Sequence, residues 1–441
     1  MPHPSKNPFT PEQPIVDEEC FFGREDVTEW IDDRLAEGQR FVLVFGLPRM
    51  GKTSLLHRLR SRLANKAVPV FLDAGALPEG PMYDLLWPLV EETHRRLSGP
   101  HEGAPALSRE DMASQWDYLH ATVFPLWRQW LRGRQLLLLL DGLDLARLKE
   151  GAWAELVLRL REILAEEPDL LIVAAIRGAS TETSEPVPAL RGLPSRDLDG
   201  LTADQTEELL VGLARYQLGF DYDALRRVYD WTGGHPYLVQ LFGAELFARL
   251  APYGHVTIHA VGDAVSAVVG AADRLFAASW NGLSREGQIA LAVVGSMPGY
   301  RGTVTPWDIV VALKRAGTSR TSEAVEQALR ELCQCRIMRW LGGSAYSLRV
   351  DLWRPWLLNA HPLVEVLSGK RRPREADGRR LRRFSLDWGS LLLWLGIGLA
   401  ILMVVRVWHS RDERSTVIVP TATLRATPRP TVTRVRLPGR I

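Results

Sequence analysis

FVLVFGLPRMGKTSLLHRLRSRLA, residues 41–64, decides the fold. It opens on an apolar strand-like run, FVLVFG (41–46), and runs into an amphipathic helical stretch from Lys52 to about Ala64. Between them GLPRMGKTS (46–54) fits G-x-x-x-x-G-K-[ST], the pattern of a loop that wraps around phosphates. A strand before it and a helix after it are the context that makes the pattern meaningful. Gly46 and Gly51 are expected to let the backbone curl, so that successive N–H groups point inward. The dipole of the following helix adds positive potential at the same place. Gly46, Pro48, Arg49, Met50, Gly51, Lys52, Thr53 and Ser54 form the expected phosphate-binding set. Lys52 would bridge β- and γ-phosphate oxygens, and the Thr53 hydroxyl would help to hold Mg²⁺. The expected ligand is a purine nucleoside triphosphate, ATP before GTP.

Outward from this loop, VPVFLDA (68–74), LLLLLD (136–141) and LLIVAAIR (170–177) alternate with helical stretches. Continuous apolar strands separated by helices predict a parallel sheet covered on both faces, a three-layer α/β domain over 21–200. LLLLLDGLD (136–144) places Asp141 at a strand's carboxyl end, where it would hold Mg²⁺ through water. Asp144 could orient the attacking water or simply cap a helix. Arg177 ends the next strand, on the sheet edge where such folds bind ligands. Its planar donor fork suits a γ-phosphate, and a solvated strand-end arginine is the plain alternative. Lys52, Asp141, Asp144 and Arg177 are thus the catalytic candidates, and Thr53 and Asp141 the metal candidates.

The rest of the 441 residues frames this domain. Lysine plus arginine (54) nearly balances aspartate plus glutamate (52), which excludes a polycation, although the last fifth is basic. Three cysteines (20, 333 and 335) lack a second ligand pair at zinc spacing and read as reduced thiols. Prolines at 2, 4, 8, 11 and 14 make 1–20 an extended arm with no apolar leader, so the domains after it are expected in the cytoplasm. Residues 201–280 read as a wholly helical lid. Residues 281–362 give three helices and two strands around a Gly-Gly-Ser turn, the order of a winged helix. A basic linker (363–387) leads to a stretch from 388 to 405 without a charge, about 27 Å as a helix, which residues to 408 extend to membrane thickness. A Thr/Pro/Arg-rich tail (409–441) follows. The arginines before 388 put the domains inside and the tail outside a single-pass membrane protein. Beside a bilayer, the basic run suits anionic headgroups better than nucleic acid.

NPFTP…FFGRE (7–25), the loop, LLLLLDGLD, the arginine-ended AAIR and TGGHPYLVQ (232–240) occur in that order. Together, over about residues 7–360, they resemble the STAND class of AAA+-related ATPases, including the branch close to origin-recognition ATPases. The resemblance implies ATP or ADP with Mg²⁺, with Phe22, Gly23 and Arg24 near the adenine and the phosphate arm. It implies that His235 and Pro236 read the nucleotide from the lid. It further implies a docked winged helix that takes part in switching, a homo-oligomer in the ATP state and a role in defence or stress signalling. Two features depart from the pattern. Gly142 follows Asp141 and Leu145 follows Asp144, so no catalytic glutamate is visible and slow or partner-dependent hydrolysis is expected. No C-terminal repeat array is present, so neither the stimulus nor a protein partner is named. The expected function is a membrane-anchored, ATP-dependent signalling switch. The alternatives are a DNA-binding ATPase using Arg330, Arg336 and Arg339, and a non-hydrolysing scaffold. The three glutamates of TSEAVEQALRELC (321–333) weigh against DNA.

Overall fold

Strand β1 (Phe41–Gly46) carries the loop and lies inside a sheet of order β2-β3-β4-β1-β5, every neighbouring pair of which is parallel. The other strands are β2 (Ala67–Asp73), β3 (Gln135–Asp144), β4 (Leu170–Arg177) and β5 (Ser195–Asp197). These come from a computed structural model that describes residues 6–77, 80–99, 105–114, 117–178, 187–297 and 302–369. The expected membrane segment at 388–408, most of the basic linker and the tail lie outside the described residues. Among the described residues no helix is long and apolar enough to cross a membrane.

Alternation along the strands explains the layers. Val42, Val44, Leu137, Leu139 and Val173 point to one face, where they meet α1 (Glu25–Ala36) and α2 (Lys52–Arg62). Leu43, Leu138, Leu140, Ile172 and Ala174 point to the other. There they meet α3 (Met82–Ser98), α5 (Phe124–Leu131) and α6 (Ala152–Glu166), while the short α4 (Arg109–Ser114) packs on α3. Strands buried on both faces have no polar side, which is why they read as unbroken apolar runs. Leu55, Leu56 and Leu59 of α2 are wholly buried. Each such burial contributes about 1.5–3 kcal/mol, enough to fix the helix whose first turn faces the phosphate loop.

The stretch 201–280 is not wholly helical. Between α7 (Ala203–Ala214), α8 (Tyr222–Thr232), α9 (Pro236–Leu250), α10 (Ile258–Ala271) and α11 (Asp273–Asn281) run two short strands, β6 (Leu218–Phe220) and β7 (Gly254–Val256). They pair in parallel. Three residues are too few to display a strand period, so sequence pattern passes over them.

After α12 (Arg285–Ser296), α13 (Pro306–Arg315) and α14 (Ser322–Gln334) comes an antiparallel hairpin of β8 (Met338–Gly342) and β9 (Ala345–Leu348). Val304 bridges Tyr346 at its side, and α15 (Trp353–Ala360) and α16 (Leu363–Ser368) close the described chain. This region shares one apolar core with the helices before it, where Phe276 lies 4.7 Å from Trp353 and Trp280 stacks 4.3 Å from His361.

The hairpin region is also tied to the sheet. Arg336, which follows α14 with a left-handed φ of 54°, pairs with Asp197 at 2.8 Å and with Asp199 at 2.7 Å. Arg349 reaches the same Asp199 at 3.7 Å. Asp197 ends β5, which pairs with β1, so the clasp grips the strand beside the loop. Arg336→Ala leaves Asp197 without this partner in a largely buried setting. A loss of about 2 kcal/mol, between the values for surface and buried pairs, is expected as a lower thermal midpoint. An unchanged midpoint would show that the clasp carries no load.

Candidate functional site

The loop between Gly46 and Lys52 curls through two left-handed residues, of which the motif reading named Gly51 but not Arg49. Arg49 (φ 64°) and Gly51 (φ 89°) make the turn, whereas Gly46 has no left-handed φ. At Gly46 space is tight rather than closed, since a Cβ there would lie 3.3 Å from the Leu198 Cβ and 3.5 Å from the Lys52 side chain. Helix α2 then starts with no side-chain cap and no acidic residue in its first turn. Its free N–H groups and partial positive charge stand uncompensated.

Two cations converge on this end. The Lys52 Nζ donates to the carbonyls of Gly46 and Leu47, both at 2.8 Å. Burial lowers its ammonium to about 8 against the pull of Asp141, with Arg177 lowering it further. Arg24 is buried and donates to the Met50 carbonyl at 3.3 Å. Burial lowers it to about 10, opposed by Asp26, Asp199 and Glu25. His235 lies buried beside Pro48, its backbone neighbour in the loop. Burial lowers its imidazole to about 4, and Arg24 and Lys52 add to that while hydrogen bonds with the His235 and Pro48 backbone oppose it, so the ring is neutral at physiological pH. Its Nδ1 has no hydrogen-bond partner among the described residues. Desolvated positive charge that carbonyls and the nearby carboxylates offset only in part favours an added anion.

The Thr53 hydroxyl donates to Asp141 at 2.6 Å. A hydroxyl and a carboxylate side by side are the hard oxygen donors that suit Mg²⁺, which ordinarily takes one or two carboxylates together with substrate phosphates. Among the described residues no cluster of three or more His, Cys, Asp or Glu forms a self-sufficient metal cage. Asp144 accepts from Ala146 N at 2.9 Å, which makes it a turn cap, and its other oxygen lies 3.9 Å from Arg177. Both readings of Asp144 therefore survive in one geometry. Asp144 and Arg177 line a crevice with Leu47 and Pro48 of the same loop and with Lys149.

A cleft of about 940 Å³, open to solvent, brings together Phe22, Arg24, Arg49, Met50, Gly51, Lys52, Thr53, Ser54 and Pro236. Gly23 stands behind it with φ 71°, where a Cβ would fall 2.8 Å from the Gln205 Cβ. His235 lies beneath rather than on its wall. Arg49 lines the cleft, but its guanidinium is turned onto Glu12 at 2.8 Å instead of inward. Opposite the cations the walls are apolar: Pro11, Pro14, Ile15, Phe21, Leu201 and Leu209. Sequence reasoning missed Glu12, Tyr237 and Gln240 of this lining. Tyr237 and Gln240 fell within the quoted stretch TGGHPYLVQ, and Glu12 only within the span 7–25, between NPFTP and FFGRE.

Glycine is also the only residue the Asp141–Gly142 step allows. Gly142 has φ 77°, and a Cβ there would lie 2.8 Å from the Gly75 nitrogen. A glutamate directly after Asp141 has no room.

No protein-family model matches the chain, and no curated protein matches it. Solved structures do. A Walker-type ATPase of Pyrococcus abyssi superposes with a TM-score of 0.57 at 16% identity, over 80% of this chain and 99% of that one. Cdc6p from Pyrobaculum aerophilum gives 0.39 at 15% identity, over 83% and 98%. The RuvB Holliday junction branch migration motor of Thermotoga maritima gives 0.38 at 16% identity, over 74% and 92%. The likeness to the Pyrococcus protein shows the fold: this chain has the α/β fold of a P-loop ATPase, built on a parallel five-stranded sheet.

Proposed function

We propose that the chain binds ATP with Mg²⁺ on the 46–54 loop, hydrolyses it slowly, and works as a nucleotide-dependent switch. The observation that carries this reading is the meeting of Lys52, Arg24 and the acid-free start of α2 at a cleft whose wall also offers the apolar Pro11, Pro14, Ile15, Phe21, Leu201 and Leu209. A nucleoside triphosphate has the matching form, a polyanion joined to a flat, weakly polar base. Lys52 and Arg24 neutralise the phosphates, and the loop amides orient them. Thr53 and Asp141 would hold Mg²⁺, whose charge would offset that developing on the β- and γ-phosphates.

Slow hydrolysis is supported by what surrounds Asp141. The next position cannot carry a side chain, and Asp144 is partly engaged as a turn cap. Orientation of the attacking water then falls to Asp144, with Arg177 beside it to sense the γ-phosphate, or to a group brought by another molecule. The finer reading is a STAND-type switch in which 201–280 is a lid and 281–362 a winged helix. It is supported by the glycine pair before His235. A Cβ at Gly233 would lie 1.8 Å from the Arg349 carbonyl oxygen, and one at Gly234 would lie 1.9 Å from that of Leu201. A shift of His235 against the loop would thus be felt in the hairpin region. In this reading the ATP state assembles into a homo-oligomer, and 388–408 tethers the chain to a membrane with 1–387 in the cytoplasm. The output is signalling in defence or stress. Binding of DNA is disfavoured, since Arg336 is turned onto Asp197 and Asp199, and Arg339 donates to the Ser347 hydroxyl at 2.8 Å.

Lys52→Ala is expected to weaken ATP binding at least a hundredfold, about 3 kcal/mol, in equilibrium titration. Unchanged affinity would remove this reading. Asp141→Ala is expected to keep nucleotide but lose Mg²⁺-dependent single-turnover hydrolysis. Wild type that never hydrolyses would leave a nucleotide-bound scaffold.

The Lys52 ammonium also sets a pH dependence. Its charged form is required by the phosphates and is held below its ordinary value, at about 8. Affinity is therefore full below that pH and falls as pH rises through it, about tenfold between pH 7 and 9. Lys52→Arg should abolish the step, and a step that persists in it belongs to another group. No histidine step near 6.5 is expected from His235, which stays neutral down to about pH 4.

A further inference from the structure

We infer that the N-terminal arm is part of the nucleotide site, with Glu12 and Tyr237 as positioning residues that hold Arg49, and through it the phosphate loop, in a left-handed conformation. The inference rests on the reading of the 46–54 loop given above. Arg49 has φ 64°, in a region that L side chains enter at a cost and that arginine cannot relieve by a local hydrogen bond. The turn at 49 is one of the two left-handed residues that give the loop its curl. Something outside the loop must favour it.

The contacts that do so come from both sides of the cleft. Arg49 donates to the Glu12 carbonyl at 3.2 Å and to the Glu12 Oε2 at 2.8 Å. Its guanidinium lies 5.2 Å above the Tyr237 ring centroid. The Tyr237 hydroxyl donates to the other Glu12 oxygen at 2.8 Å. Burial, then the bond to Glu12, push this phenol up to about 12, so it remains a donor throughout the working range. Each of the three groups thus holds the other two.

Glu12 itself is held in place by the arm. Phe9 is 4% exposed and sits in the helical core, 6.2 Å from Phe247. Gly243 makes its berth, since a Cβ there would fall 2.3 Å from the Phe9 ring. Asn7 donates to the Ala244 carbonyl at 3.0 Å, and the Thr10 amide to Gln240 at 2.9 Å. Past Glu12, the Ile15 amide donates to the Ser54 hydroxyl at 2.9 Å, within the phosphate motif itself. The arm is therefore fastened to α9 before Glu12 and to α2 after it. Arg49 and Glu12 are 46% and 63% exposed, so the ion pair by itself is weak. Its part is geometric: it biases one backbone torsion at the point where the loop must turn.

The test is a double-mutant cycle on the full-length protein, using the affinity and dissociation rate of a fluorescent ADP analogue with Mg²⁺. Glu12→Ala is expected to raise Kd about fivefold, which is about 1 kcal/mol, chiefly through faster dissociation. In the Arg49→Gly background, where the left-handed conformation no longer carries a side-chain cost, Glu12→Ala should have no further effect. Tyr237→Phe keeps the ring and removes the hydroxyl, and should give a smaller rise that also vanishes in that background. An equal effect of Glu12→Ala in both backgrounds, or none in either, overturns the inference while leaving the functional reading intact. A folded wild-type chain that binds no nucleotide overturns the functional reading, and this inference with it.

Discussion

A buried arginine, a half-buried lysine and a helix end of the same sign, hydrogen-bonded by carbonyl oxygens and only partly offset by nearby carboxylates, are the constraint on which the rest of this structure depends. Lys52 rests on Gly46 and Leu47, and Arg24 on Met50. Carbonyl dipoles compensate such charges only in part, and the depressed ammonium of Lys52 records the deficit. A site of this kind is pre-organised for an anion at the expense of the ligand-free protein, the usual relation between function and stability. The sheet supplies the rigidity that lets the cations stay. Strand β1 is an interior strand, flanked by β4 and β5, and α2 is fixed beneath the loop by three wholly buried leucines.

Around this centre, close backbone approaches do the work that long side chains do elsewhere. Gly142 fits against Gly75, Gly233 against Arg349, and Gly234 against Leu201. The last two join the core, the helices after 200 and the hairpin region at one point, directly before His235. The same rigidity has a chemical consequence, because the space that would hold a glutamate after Asp141 is occupied by backbone. On the proposed reading, triphosphate binding with weak water activation follows from one local arrangement, which would suit a switch better than a motor.

Much of the sheet was legible because β1, β3 and β4 are mostly or wholly buried and so appear as apolar runs, with the half-buried edge strand β2 apolar through most of its length. β5 was not legible: SRD has no apolar residue and owes its strand form to pairing with β1. β6 and β7 were too short to show a period. The phosphate motif pointed rightly to Gly51 as a turning residue but wrongly to Gly46, since a pattern of glycines does not say which position turns left-handed. The loop's own arginine takes that role, with help from a glutamate 37 residues away and a tyrosine 225 residues beyond that glutamate. Contacts at such separation leave no local trace. Arg336 shows the same limit, because an arginine on a candidate DNA-facing surface and one folded onto two aspartates read alike in sequence.

The central claim is that the protein gives up stability at Lys52 in order to hold a phosphate. Its most direct test is thermal unfolding of wild type and Lys52→Met, with and without Mg²⁺·ADP. The account predicts that without nucleotide the methionine variant is at least as stable as wild type. It also predicts that a hundredfold excess of Mg²⁺·ADP over its Kd stabilises wild type by about 2.7 kcal/mol and the variant not at all. A variant that melts lower without ligand, and gains as much as wild type with it, would contradict the account.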